Sequence, residues 1–197
     1  MRRGTSERVS SESEIKVAVD LSGGPVEIKT GVGFFDHMLT LFAFQARIGL
    51  EIQAKGDLWI DAHHTVEDTA IVLGAALTEA LGDKAGNERY GESRVPMYET
   101  LASVVLDFSG RPYTVFLAEF KNPKLGDFDT ELAEEFFQGL SRSARMTIHA
   151  QVLYGSNTHH MIEGLFKALG RAVRQAVAVT GDGVPSTKGL IDQRSRS

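Results

Sequence analysis

The chain carries one pattern twice. V-D-L-S-G-G-P-V-E-I at 19–28 recurs as L-D-F-S-G-R-P-Y-T-V at 106–115, and the same offset pairs Glu12 with Glu99. F-F-D-H-M at 34–38 answers F-F-Q-G-L at 136–140, and I-G-L-E-I at 48–52 answers I-H-A-Q-V at 148–152. H-H-T-V-E at 63–67 answers H-H-M-I-E at 159–163. Matches that keep the same order indicate an internal duplication. The boundary falls near 91–95, giving a first repeat over 1–92 and a second over 93–197 that act together as one unit.

Each copy predicts the same succession of elements. Ile15, Val17, Val19 and Leu21 alternate with Glu14, Lys16, Ala18 and Asp20, the period of a half-buried strand. The turn at 22–25 is expected to send the chain back as a hairpin through 26–30. An apolar helix over 35–46 follows, then a strand over 48–54, a turn at 55–57 and a short strand at 58–60. A long helix over 63–81 ends at Gly82. The second copy predicts strands at 101–108 and 113–119, a helix over 129–144, a strand at 148–153 and a helix over 159–179. Two β-β-α-β-α half-domains make the expected fold α+β, a two-layer sandwich with pseudo-twofold symmetry. The tail after Gly181 is expected to be loop.

Composition narrows the function. With no cysteine, a disulfide scaffold, a thiolate metal site and a cysteine nucleophile are excluded. A net charge of -5 argues against a nucleic-acid partner. The opening residues lack the apolar core of a signal peptide, and no apolar run approaches the ~20 residues of a membrane span. A cytoplasmic protein without a membrane partner is expected.

The histidines carry the chemistry. All six lie within the matched segments: His63, His64, His159 and His160 in the two His-His-x-x-Glu motifs, with His37 and His149 outside them. On a helix the first histidine and the glutamate stand at i and i+4, share a face and can grip one ion. The second histidine turns ~100° away and should serve another ion. The six histidines with Glu67 and Glu163 then divide into two sites of three histidines and one glutamate. Imidazole with carboxylate suits Mn²⁺, Fe²⁺ or Zn²⁺. A His-Glu pair at this spacing also occurs as an ordinary helix-surface pair. Its recurrence at duplicated positions favours metal.

These residues resemble the imidazoleglycerol-phosphate dehydratase family. The likeness runs through G-V-G-F-F-D-H-M-L, K-G-D-L-W-I-D-A-H-H-T-V-E-D-T, D-F-S-G-R-P-Y, L-Y-G-S-N-T-H-H-M-I-E-G-L-F-K-A-L and P-S-T-K-G. The resemblance implies a homo-oligomer of 24 subunits with active sites between subunits, and two Mn²⁺ ions per site. It assigns His37, His63, Glu67 and His160 to one ion, and His64, His149, His159 and Glu163 to the other. Arg89, Arg111, Lys167, Ser186, Thr187 and Lys188 match the family's phosphate-binding residues, and Glu12 its acid. Glu12, Glu67 and Glu163 are the implied catalytic carboxylates, with Glu12 and His37 also touching substrate. Tyr98 stands where an Asp is usual, Leu41 where Gln is common, and Glu88 where a basic or apolar residue is more frequent.

The implied reaction is a hydro-lyase step, EC 4.2.1.19. D-erythro-imidazoleglycerol phosphate loses water to give imidazole acetol phosphate in histidine biosynthesis. The proton removed is not made acidic by a carbonyl, so the ring must act as electron sink. A di-manganese site binding the substrate as its imidazolate would serve this, through a diazafulvene-like intermediate and an enol. Glu12, or a metal-bound water, would move the protons. A metal-dependent oligomeric storage or assembly protein is a rival, but gives P-S-T-K-G no purpose. A dinuclear metal hydrolase is another, but it usually needs bridging carboxylates, and no Asp cluster is evident.

Overall fold

The computed structural model describes residues 2–189 and 191 of the chain. Its first half comprises β1 (Arg3–Val9), β2 (Ser13–Asp20), β3 (Val26–Lys29), α1 (Gly33–Ala46), β4 (Gly49–Gly56) and α2 (His63–Leu81). Its second half opens with β5 (Tyr90–Met97), β6 (Thr100–Asp107) and β7 (Tyr113–Leu117). A small excursion, β8 (Lys124–Leu125) and β9 (Phe128–Asp129), precedes α3 (Leu132–Ala144), β10 (Thr147–Tyr154) and α4 (Thr158–Ala176). The two large sheets have matching orders, β1-β2-β4-β3 and β5-β6-β10-β7. This is the duplicated α+β architecture the repeats predict. No described helix is long and apolar enough to cross a membrane.

Three local expectations are corrected. Residues 26–29 do not fold back on β2; β4 takes that edge, and β3 lies parallel to β4 on its far side. The loop manages this by passing over Gly49, where a Cβ would come within 3.1 Å of the Gly24 Cα. Pro25 then accepts a hydrogen bond from the Leu50 amide at 2.9 Å. Residues 58–60 form a turn, not a strand, closed by the Ile60 amide on the Asp57 carbonyl at 2.8 Å. Each half also begins with a strand that the pattern did not predict, so the unit is β-β-β-α-β-α.

Those leading strands, R-G-T-S-E-R-V and Y-G-E-S-R-V-P-M, lie at sheet edges and bury little besides a glycine, so no apolar alternation marks them. The glycine is the informative residue. A Cβ on Gly4 would run into the Ala76 carbonyl of α2, and one on Gly91 into the Ala172 carbonyl of α4. Backbone blocks relief at both places. Gly91→Ala is therefore expected to destabilise the fold by at least the ~1–3 kcal/mol of a typical overpacking change, measured by denaturant unfolding.

The halves interlock through their helices. α1 of the first half packs on α4 of the second, with Gly170 admitting the Phe42 carbonyl. α2 packs on α3 in the same way, with Gly74 against Leu140 and Ala144. Phe35, Phe136, Phe137 and Phe166 fill the shared centre fully buried, Phe136 stacked on Phe166 at 4.8 Å between ring centroids. That crossing brings a side chain of α1 to the beginning of α4.

Candidate metal centre and anion cavity

Both His-His-x-x-Glu motifs open a helix, and a polar residue two positions ahead organises each start. Asp61 Oδ1 accepts the His63 amide at 2.7 Å, and Asn157 Oδ1 accepts the His160 amide at 3.2 Å. Helical geometry then separates the neighbouring rings. Their planes stand at 85° in the first motif and 77° in the second, with centroids 6.1 and 6.2 Å apart.

The first histidine of each motif faces its own glutamate. His63 Nε2 lies 3.9 Å from Glu67 Oε2, and His159 Nε2 lies 3.0 Å from Glu163 Oε2. The α1–α4 crossing adds His37, whose Nε2 is 3.5 Å from the same Glu163 oxygen. His37, His159 and Glu163 thus offer three ligand atoms within 4.8 Å of one another. Among the described residues this is the one such triplet. In the other half Gly139 takes the place of His37, beside the Glu67 carbonyl, and Arg142 approaches Glu67 at 4.0 Å. The triplet joins residues that the resemblance assigns to different ions, because α1 packs on α4 within the same chain.

Glu163 is nearly buried, which alone would push its carboxyl up. Hydrogen bonds from Lys167 Nζ, 2.6 Å away, and from His159 outweigh burial and hold it below the usual range. It is therefore an anion ready to ligate. Lys167 is thus committed to Glu163 and does not line the anion cavity described below.

The second histidine of each motif is held from outside the motif. His64 Nδ1 meets Asp57 at 3.0 Å, and this hydrogen bond pushes the ring's pKa up. His160 Nδ1 meets Glu99 at 2.8 Å. Glu99 also accepts the Asn157 amide, and these bonds hold it far below the ordinary carboxylate range. Glu12 sits in the bend before β2, with Oε1 3.9 Å from His64 Nε2. Asp57 was not singled out by sequence; its one signal is its place six residues ahead of His63.

His149 stands apart. Ile148 and Ala150 turn inward to the helices, so the alternation of β10 puts His149 on the opposite, open face of the sheet. It lies between Val105 and Val115.

A cavity of about 750 Å³ is lined by Arg89, Arg111, Arg145, Ser109, Ser186, Thr187 and Lys188, among others. Five of the predicted phosphate residues are thus brought together; Arg145 is an addition that sequence missed. Arg89 grips Asp107 through two bonds of 2.7 and 3.0 Å and donates to the Pro185 carbonyl at 2.9 Å, which fastens the P-S-T-K-G turn. Arg111 has no side-chain partner among the described residues. A guanidinium so placed can meet an oxyanion with paired donors. Of the departures from the family pattern, Tyr98 lies over His160 at 5.3 Å between centroids. Glu88 accepts a bond from Thr180 at 3.0 Å outside the cavity, and Leu41 packs half-buried on the core.

Fold and site together define a class: a duplicated α+β protein with a histidine–carboxylate cluster that could hold a metal ion and a separate cationic cavity. Comparison with known proteins narrows it. The imidazoleglycerol-phosphate dehydratase family matches residues 30–173. The chain belongs to that family, and so to the hydro-lyases EC 4.2.1.19 of histidine biosynthesis. Among relatives bearing that name, one from Streptococcus gordonii is 58% identical over 194 residues, 97% of this chain and 100% of its own. One from Exiguobacterium sp. is 56% identical, covering 98% of this chain and 100% of its own. A crystal structure of the dehydratase from Staphylococcus aureus subsp. aureus N315 superposes with a TM-score of 0.83 at 44% identity, over 90% of this chain and 99% of that one. The Pyrococcus furiosus protein, solved in complex with (S)-C348, has the same TM-score at 41% identity, over 93% and 99% of the two chains.

Proposed function

We propose that the chain dehydrates D-erythro-imidazoleglycerol phosphate to imidazole acetol phosphate, with the substrate's imidazole held as its anion between two Mn²⁺ ions. His37, His63, Glu67 and His160 would hold one ion, and His64, His149, His159 and Glu163 the other. His37 lies within ligand distance of His159 and Glu163, so it stands where the two proposed ligand sets would meet. The donor set fits, since neutral imidazoles with an ionised carboxylate suit a borderline divalent cation. When bound, the ions supply Lewis-acid stabilisation of the charge that builds on the ring.

The chain's own groups do the rest. Glu12, as the acid, would give its proton to the hydroxyl beside the ring, which leaves as water, and as the resulting carboxylate would take the proton from the neighbouring carbon. The enol that remains picks up a proton on carbon and becomes the ketone. Arg111, Ser186, Thr187 and Lys188 hold the phosphate and fix the pose, with Arg89 anchoring their turn. Lys167, tied to Glu163, would meet the substrate from the metal side.

One observation carries the proposal that the site is shared between subunits. The anion cavity meets β10 at its start, where Thr147 Oγ1 donates to the Arg111 carbonyl at 3.1 Å. The His159 motif follows the other end of β10, beyond Tyr154. The seven steps from Thr147 to Tyr154 span about 23 Å, too far for a three-carbon substrate to reach both in one chain. His149, by contrast, is two residues from Thr147 on the same face. Its copy of the cavity would therefore work with the helix-borne ligands of a neighbour, in a proposed assembly of 24 subunits. The two repeats, 1–92 and 93–197, act as one catalytic unit, and the proposed setting is the cytoplasm.

The direct test is an assay for imidazole acetol phosphate on metal-free protein, before and after adding Mn²⁺. Activity should appear only with the ion; turnover without it would overturn the reading. Arg111→Ala is expected to raise KM roughly 10–100-fold with little change in kcat, from the ~1.5–3 kcal/mol of a hydrogen bond to a charged group. An unchanged KM would remove Arg111 from the phosphate site.

A further inference from the structure

We infer that Asp57 and Glu99 are positioning residues for the second histidine of each motif, and that Asp57's presence leaves Glu12, the twin of Glu99, free for proton transfer. The inference rests on the two-ion reading above and extends it to residues outside the ligand set.

An ionised carboxylate can only accept. At 3.0 Å from Asp57 and 2.8 Å from Glu99, the Nδ1 atoms of His64 and His160 must therefore carry the proton. When such a ring gives up its other proton to take an ion, the lone pair is on Nε2, turned away from the carboxylate and available to that ion. A partly exposed ring without such a partner would divide its time between tautomers and orientations. The carboxylate fixes both and makes Nε2 more basic, as outer partners of ligating histidines generally do.

The two halves achieve this by different means. By the duplication, Glu99 corresponds to Glu12, and both lie in the turn between the first two strands of their sheets. Glu99 is fully engaged: it accepts from His160, from the amides of Ser156 and Asn157, and from Thr100 Oγ1. Glu12 is not. It approaches His64 only at Nε2, the ligand edge, at 3.9 Å. Nδ1 belongs instead to Asp57, whose side chain is 5% exposed. The segment between the strand and the histidine pair is four residues longer in the first copy, and Asp57 begins this added stretch. The Asp57 amide donates to the Glu12 carbonyl at 3.0 Å, so the inserted turn also holds the Glu12 bend in place. One carboxylate orients the ring while its neighbour stands at the ring's reactive edge.

The test titrates the intact metal-free assembly with Mn²⁺ alone, following free Mn²⁺ by electron paramagnetic resonance. Wild type should show two ions per site. Asp57→Ala should weaken one of them by about 10–100-fold and spare the other, and Glu99→Ala should do the reverse. Asp57→Asn, which keeps an acceptor oxygen, should recover most of the loss. Glu12→Gln should bind both ions normally yet lose turnover. The inference is overturned if Asp57→Ala and Glu99→Ala bind like wild type, or if Asp57→Ala weakens both ions equally with Asp57→Asn no better. It is also overturned if Glu12→Gln loses metal. Fewer than two ions in wild type would sink the two-ion reading itself.

Discussion

Glu163→Gln is expected to lose one metal ion per site and to slow turnover on the order of 10³-fold. The magnitude follows from the several kcal/mol that a Lewis-acid ion contributes, at ~1.4 kcal/mol for each factor of ten. Shape is nearly conserved by this change, so packing does not explain the loss. What disappears is the negative charge facing His37 and His159 at 3.5 and 3.0 Å. A neutral amide also leaves the Lys167 ammonium, paired at 2.6 Å, without its counter-charge in a nearly buried place. Glu67→Gln should remove the other ion with a similar effect on rate. Metal analysis of the purified variants and the product assay check both. A full complement of metal with normal turnover would end the assignment.

His149→Ala is expected to cost as much activity as Glu163→Gln while leaving the chain's fold intact. Judged from one chain, the prediction is unexpected. An exposed histidine on the open face of a sheet is a position where substitution usually changes stability by no more than ~0.5 kcal/mol. Ile148 and Ala150, which flank it, carry the packing. If His149 completes a neighbour's ion, its removal should lower metal content by one per site and abolish most turnover, with circular dichroism unchanged. An active variant with full metal would make His149 a surface residue and deprive the shared-site account of its best marker.

Much of this was legible in sequence, for identifiable reasons. The alternation from Ile15 to Leu21 gave β2, and the apolar stretches around Phe42 and Leu73 gave α1 and α2, since burial on one face imposes a period. The edge strands β1 and β5 bury almost nothing, so they leave no period to find. The parallel pairing of β3 was hidden because a glycine-rich turn signals a reversal without saying which strand the chain returns to. Among the site residues, the divergence of His63 from His64 follows from helix geometry alone. The partners Asp57 and Glu99 did not, because Asp57 sits in a turn outside the motif and Glu99 reaches His160 from a turn 61 residues earlier in the chain. Arg145 escaped notice since it enters the cavity from the end of α3, at a left-handed backbone position with φ of 52°.

The central claim is that one active site draws on two copies of the chain. Its most direct measurement co-expresses two inactive variants, Glu163→Gln and His149→Ala, and assays the mixed assembly. Random mixing restores up to about a quarter of two-chain sites with both contributions intact. Recovery of dehydratase activity toward that level, from variants each inactive alone, is the expected result. A mixed assembly as inactive as its parents would place Glu163 and His149 in one chain's site and contradict the account.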